Sequence, residues 1–259
     1  MLPHGGPQTA ILTRRQSEAM KVITRRALIR VGLVPVLAAV VFVLWIGWLG
    51  ADWGRASTCH GTVVSGSLEG GRRLPYSGEN YRAYSLLGFL AGRTFVHQSV
   101  RDTMRDAYAQ LSKSNPDLRF VYAESGWPWG GSFAPHKSHA NGTAADFHVP
   151  VRTLDGQVSE LPTSPFNQFG YSVEFDKAGQ AGSYKIDFEA MALHLLALDR
   201  AATAHGIRIR RVIFDVDLQP RLAATAAGAQ GMRRLGFNKR QAWVRHDEHY
   251  HVDFDVACR

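Results

Sequence analysis

Apolar residues recur along this chain in three different rhythms, and each predicts a different kind of element. The first is continuous: VGLVPVLAAVVFVLWIGWLG, Val31 to Gly50, runs for twenty residues without a charge. A helix of that length spans the ~30 Å hydrocarbon core of a bilayer. Pro35 falls in its first turns, where proline is tolerated, and Trp45 and Trp48 stand near its far end, as an interfacial aromatic belt would. The second rhythm is helical. Val100, Met104, Ala107 and Leu111 make one stripe and predict a helix over about 97–113. Phe188, Met191, Leu195 and Leu198 make another, with Asp187 as its N-cap and Gly206 as its stop. The third is extended: LRFVYAES (118–125), TAADFHVPV (143–151), RRVIFDVDL (210–218) and HYHVDFDV (249–256) read as strands. Strands and helices alternate without clean βαβ units. The expected class is α+β: a small antiparallel sheet flanked by helices, preceded by one N-terminal transmembrane helix.

Charge orients this picture. The net charge is +8, and residues 1–30 hold six Lys and Arg against Glu18 alone. Basic residues before the span place the N-terminus in the cytoplasm and the rest of the chain beyond the membrane. Because the excess charge gathers there, nucleic acid is not an expected partner. The division is then a basic cytoplasmic tail (1–30), a transmembrane anchor (31–51), an irregular lead-in rich in Gly, Ser and Arg (52–80), and a main domain (81–259), with 59–259 as one folding unit. The alternative is a cleaved export signal, but the apolar run is long and WLGADWG offers no A-x-A site. Cys59 and Cys258 are the two cysteines, 199 positions apart. In an oxidising compartment they can form one disulfide; the alternative is two free thiols.

Candidate chemistry concentrates in two stretches. HDEHYHVDF (246–254) holds His246, Asp247, His249 and His251, and PHKSHANGTAADFH (135–148) holds His136, His139, Asp146 and His148. Side chains two apart on a strand share a face, so His249 and His251 point together. Asp146 can join them if its strand is a neighbour, with His139 arriving from the loop before it. Three protein ligands with one position left for water suit a catalytic zinc. His60, His97, His194 and His205 read as surface or satisfied core residues, and His148 shares a face with Asp146 and is a ligand by proximity only. Trp127 and Trp129 either wall a cleft or cap the core. GMRRLGFNKR (231–240) reads as a solvated basic face.

The pattern His139-Ala-Asn-Gly142-Thr-Ala144-Ala-Asp146, followed far downstream by His249-Tyr-His251, resembles the lysostaphin, D-Ala-D-Ala peptidase and hedgehog superfamily. Within it the chain is most similar to the penicillin-insensitive murein endopeptidases. Pro135-His136-Lys-Ser138-His139-Ala-Asn-Gly142 matches their G-H-A-S-H-Q-T-G, and Trp243-Val-Arg-His246-Asp247-Glu-His249-Tyr-His251-Val252 matches their W-x-G-H-D-x-H-F-H-V. The chain departs from them at Ala140, Thr143 and Ala144, and at Arg245, where they tend to have Gly.

That resemblance implies a zinc metallopeptidase domain in the periplasm of a Gram-negative bacterium, held at the inner membrane by 31–51, or secreted there if the segment is cleaved. It implies His139, Asp146 and His251 as zinc ligands and His249 as the group beside the reacting water, acting as base or oxyanion donor. His136 and His246 become accessory, and Asp247 a candidate acceptor for a histidine ring. One zinc ion is expected; Asp215 and Asp217 stand where the family strand carries a His, so no second site has a counterpart. The substrate would be peptidoglycan, cut at cross-links involving D-alanine or meso-diaminopimelate. The alternatives are a D,D- or L,D-carboxypeptidase of the same superfamily and a non-catalytic zinc domain that binds cell wall.

Overall fold

The structure, a computed structural model, describes residues 34–45, 47–48, 54 and 56–259. Of the expected span over 31–51, residues 34–45 and 47–48 are helical, and the rest of it, like the basic tail, lies outside the described residues. Among the described residues no helix is long and apolar enough to cross a membrane. Trp53–Arg259 forms one compact unit.

Its centre is a five-stranded sheet. In chain order the strands of the unit are β1 (Thr58–Gly61), β2 (Gly66–Glu69), β3 (Tyr81–Ala83), β4 (Phe120–Tyr122), β5 (Ala144–His148), β6 (Val151–Thr153), β7 (Val158–Ser159), β8 (Gln180–Ala181), β9 (Tyr184–Ile186), β10 (Arg208–Ile213) and β11 (His249–Asp255). The helices are α1 (Leu86–Leu90), α2 (Gln98–Ser114), α3 (Phe188–Ala204), α4 (Gln219–Ala223) and α5 (Ala226–Arg234). The central order is β10-β11-β5-β4-β3, antiparallel except for the parallel β3–β4 pair. β1–β2 form a hairpin, and β7-β6-β9-β8 a second small sheet. The fold is therefore α+β with small, mostly antiparallel sheets.

Local chemistry sets the element ends. His97 caps α2, its Nδ1 accepting from Ser99 N at 3.2 Å, and Asp187 caps α3, accepting from Ala190 N at 3.0 Å. The expected strand over 143–151 is two strands in two sheets, because Pro150 has no N–H to give a ladder. The one expected over 210–218 stops at Ile213. There Asp215 turns the chain, its carboxylate accepting from Asp217 N at 2.8 Å. The lead-in expected to be irregular contains the β1–β2 hairpin.

Chain end and hairpin are tied together. Cys59 and Cys258 are disulfide-bonded with Cα atoms 4.8 Å apart, and Arg259 N donates to Cys59 O at 2.9 Å. Closing a loop of this length removes about 5 kcal/mol of denatured-state entropy in the chain-entropy model.

The alternation of β5 and β11 sorts the sheet into two faces. Phe147 and Tyr250 pair across the strands and stack at 5.5 Å on one side. There α2 and α3 cover them with Met104, Leu111, Met191 and Leu195, all buried. Asp146, His148, His249, His251 and Asp253 point to the other side.

Candidate metal and catalytic site

The polar face is the floor of a cleft of about 670 Å³, lined in part by Asp146, His249, His251, Glu124 and Tyr171. Register builds it: His251 lies directly opposite Asp146, and His249 opposite His148. His139 arrives from the loop before β5 with a left-handed backbone, φ 73°. Such a conformation costs a non-glycine residue on the order of 1–3 kcal/mol and persists only where its surroundings enforce it. Gly142, three residues on, has φ 73° as well, and a Cβ there would meet Leu68 Cδ2 at 2.6 Å and His97 N at 2.9 Å. Only glycine lets this loop pack so closely.

Asp146 is the hub. Its Oδ1 lies 2.8 Å from His251 Nδ1 and 3.3 Å from His139 Nε2. Its Oδ2 lies 3.3 Å from the Tyr171 hydroxyl, 3.6 Å from His136 Nδ1 and 3.8 Å from His249 Nε2. Burial works to raise its carboxyl, but the charges of His139 and His249 and the close approach of the His139 and His251 rings outweigh that and hold it well below the usual range. His136, His139 and Asp146 each offer a ligand atom within 4.8 Å of the others.

The ring orientations come from partners on the far nitrogens. His251 Nε2 meets Asp253 Oδ1 at 2.8 Å, His249 Nδ1 meets Glu248 Oε1 at 2.7 Å, and His136 Nε2 meets Glu124 Oε2 at 2.6 Å. His139 Nδ1 donates to Ser125 O at 3.1 Å. Glu124 in turn is gripped by Arg93 and accepts from Tyr84 at 2.8 Å. Burial would raise it, yet the bonds from His136 and Arg93 bring it down to about 2. Burial also disfavours charge on His251, and its bonds to Asp146 and Asp253 overcome this, taking it up to about 9. His249 is likewise raised, burial being outweighed by Glu248.

Two of these contacts test whether a cation fits. Among the described residues, His139 Nε2 is buried and makes no hydrogen bond. With Nε2–H of His251 given to Asp253, its Nδ1 is a lone pair aimed at a carboxylate oxygen. That arrangement needs either a second ring proton or a positive ion among His139, Asp146 and His251. Two imidazoles and one carboxylate are a donor set that zinc accepts.

Of the residues expected here, His136, His139, Asp146, His249 and His251 are brought together. His246 stands beside them, its ring 4.6 Å from His249, and burial followed by the charge of His249 pushes it down to about 4. Asp247 does not serve a histidine ring. Its carboxylate accepts from Phe175 N at 2.6 Å and from Arg245 at 2.5 Å. The ring acceptors are Glu248, Asp253 and Glu124. His148 is buried with both ring nitrogens unpartnered among the described residues, and burial lowers it to about 3. Trp127 and Trp129 are not in the cleft lining, whereas Trp243 is.

A family model described as penicillin-insensitive murein endopeptidase matches residues 59–258. The chain belongs to that family. No curated protein matches it. Membership of the penicillin-insensitive murein endopeptidases makes murein the substrate class and peptide hydrolysis the reaction class. The match begins at Cys59 and ends at Cys258, so in this murein endopeptidase the disulfide joins the two ends of the matched region.

Proposed function

We propose that the protein is a zinc-dependent endopeptidase that hydrolyses the peptide cross-links of peptidoglycan, at bonds involving D-alanine or meso-diaminopimelate. The convergence of His139 Nε2, Asp146 Oδ1 and His251 Nδ1 carries this reading, in a chain of this family. His139, Asp146 and His251 are the proposed ligands. His251 is favoured over His136 as the third because it is strand-borne and faces the same carboxylate oxygen as His139. His136 approaches the other oxygen from a loop.

A bound zinc ion supplies a water acidic enough to react near neutral pH and a Lewis acid for the scissile carbonyl. The chain supplies the proton traffic. Glu248 accepts a hydrogen bond from His249 Nδ1–H, which leaves Nε2 as the nitrogen that faces Asp146 and exchanges a proton with the reacting groups. The Tyr171 hydroxyl accepts from Glu124 N at 3.1 Å and so turns its own proton toward Asp146. Arg93 and Glu124 hold His136 at the edge of the floor.

The proposed setting is the periplasm, with 31–51 as an inner-membrane anchor; that part rests on the twenty uncharged residues and their basic flank. Product analysis of purified murein, digested with and without a chelator, tests the whole reading. The expected outcome is chelator-sensitive conversion of cross-linked dimers to monomers. Release of free D-alanine without loss of dimers would assign a carboxypeptidase instead, and digestion indifferent to the chelator would remove the metal.

A further inference from the structure

The cleft floor is rich in carboxylates, yet the peptides of murein carry free carboxylates of their own. Such a substrate needs a cation that the protein has not already spent. Arg93 and Arg245 line the cleft, but both are committed. Arg93 grips Glu124. Arg245 reaches the Glu174 carboxylate at 3.0 Å, Phe175 O at 2.8 Å and Asp247 at 2.5 Å, pinning the 174–175 segment to the loop before β11. Lys137 differs. It is exposed, it lines the same cleft, and among the described residues no carboxylate pairs with it. Its Nζ lies 4.5 Å from the centroid of the Trp243 ring, itself 59% exposed at the cleft rim. An ammonium over an aromatic face is held in place while most of its hydration and all of its charge remain available.

We propose that Lys137, positioned by Trp243, is the subsite that reads a free carboxylate on the stem peptide of the substrate. This rests on the murein endopeptidase reading and deepens it. Lys137 lies between His136 and Ser138 in the loop that delivers His139, so the ammonium and the reacting centre belong to one short stretch of chain. Lys137 and Asp146 line the same cleft, so a peptide bound there can meet both. Amidation of the stem-peptide carboxylate removes the charge and leaves the shape.

The test is binding of an uncross-linked stem tetrapeptide, which an endopeptidase has no cross-link to cut, followed by calorimetry on the full chain. One peptide has free glutamate, diaminopimelate and C-terminal carboxylates; three others are each amidated at one of these. The wild type should prefer the free peptide about fivefold over one amidated form, the strength of a rim ion pair, and added salt should shrink the preference. Lys137→Gln should lose the preference and Lys137→Arg should keep it. With a cross-linked dimer, Lys137→Gln should raise KM more than it lowers kcat. The proposal is overturned if the wild type does not discriminate among the peptides, or if Lys137→Gln discriminates as the wild type does. Binding with the predicted preference but no cleavage of the dimer would leave this subsite standing and remove the endopeptidase reading.

Discussion

Both faces of the central sheet bury histidine, and His194 on one and His251 on the other show the two outcomes that burial can have. On the apolar face His194, from α3, is stacked on Tyr108 at 5.1 Å and Phe120 at 4.9 Å, with Phe147 edge-on at 4.8 Å. Its polar contact is the Tyr250 hydroxyl, 2.5 Å from Nδ1. Burial lowers it to about 3, so it is neutral at any physiological pH. On the polar face His251 lies between Asp146 and Asp253, and their bonds overcome burial and lift it to about 9. Tyr250 and His251 are consecutive residues, pointing to opposite faces. Burial disarms a histidine; a buried carboxylate on each side arms it for a proton or a metal ion. A slip of one residue in the β5–β11 register would exchange the two environments.

The sharpest way to break this contrast is to remove the carboxylate hub. Asp146→Asn keeps the shape and takes away the charge that four histidines face. Zinc binding by equilibrium dialysis should be lost, and murein hydrolysis should fall at least ~1,000-fold, as for loss of a metal site's shared ligand. A variant that retains stoichiometric zinc would sink the proposed ligand set. His249→Ala separates proton transfer from metal holding. It should keep zinc and lose roughly 100- to 10,000-fold in kcat; loss of zinc in this variant would make His249 a ligand instead. Smaller again is Asp253→Asn, which leaves every proposed ligand in place, takes the charge from the partner of His251 Nε2 and weakens the ion pair of Asp253 with the half-exposed Arg211. Zinc affinity should drop about 10- to 100-fold, read by competition with a chromogenic chelator.

The contrast also marks what could be read in advance. The alternation of HYHVDFDV put His249 and His251 on one face, and the spacing from His139 to Asp146 left room for a loop that turns back. Both follow from local periodicity, as do the helices capped by His97 and Asp187. The carboxylates that orient the rings were harder. Asp253 stands two residues after His251 on the same strand, so the same alternation that paired the histidines could have found it. Glu248 precedes β11, where no strand alternation distinguishes it from its neighbour Asp247, which points at Phe175 and Arg245 because the loop is bent there. Glu124 and Tyr171 carry no local signal. One follows a three-residue strand, and the other comes from the aperiodic stretch between β7 and β8. They reach Asp146 and His136 only through tertiary packing. Trp127, a candidate cleft wall, lies outside the lining, stacked on Trp129, edge-on to Phe133 and under the Arg93 guanidinium, while Trp243 takes the rim.

The gentlest test concerns the apolar face alone. His194→Phe by itself leaves the Tyr250 hydroxyl buried without a partner, at a cost of about 1–3 kcal/mol. His194→Phe with Tyr250→Phe replaces both partners by rings of similar shape and should change stability by less than about 1 kcal/mol at pH 7. The difference appears in acid. His194 has a folded value of about 3 against about 6.5 when unfolded. Between those limits the unfolded chain holds a proton that the folded chain refuses, so stability falls as pH falls, by at most ~1.4 kcal/mol per pH unit from this one group. His148 and His246, also lowered by burial, add slopes of the same sign and stay in the double variant. Glu124 and Asp253, both near 2, contribute in a lower window, their stabilisation being lost as pH falls below the ordinary carboxylate range. Denaturant unfolding at pH 7, 6 and 5 therefore isolates the histidines. The double variant should show a shallower decline than the wild type by up to ~1.4 kcal/mol per unit, while its zinc content and murein hydrolysis at pH 7 follow the intact polar face. Equal slopes in the two proteins would mean that His194 takes up its proton without unfolding, and the apolar face would then not disarm it.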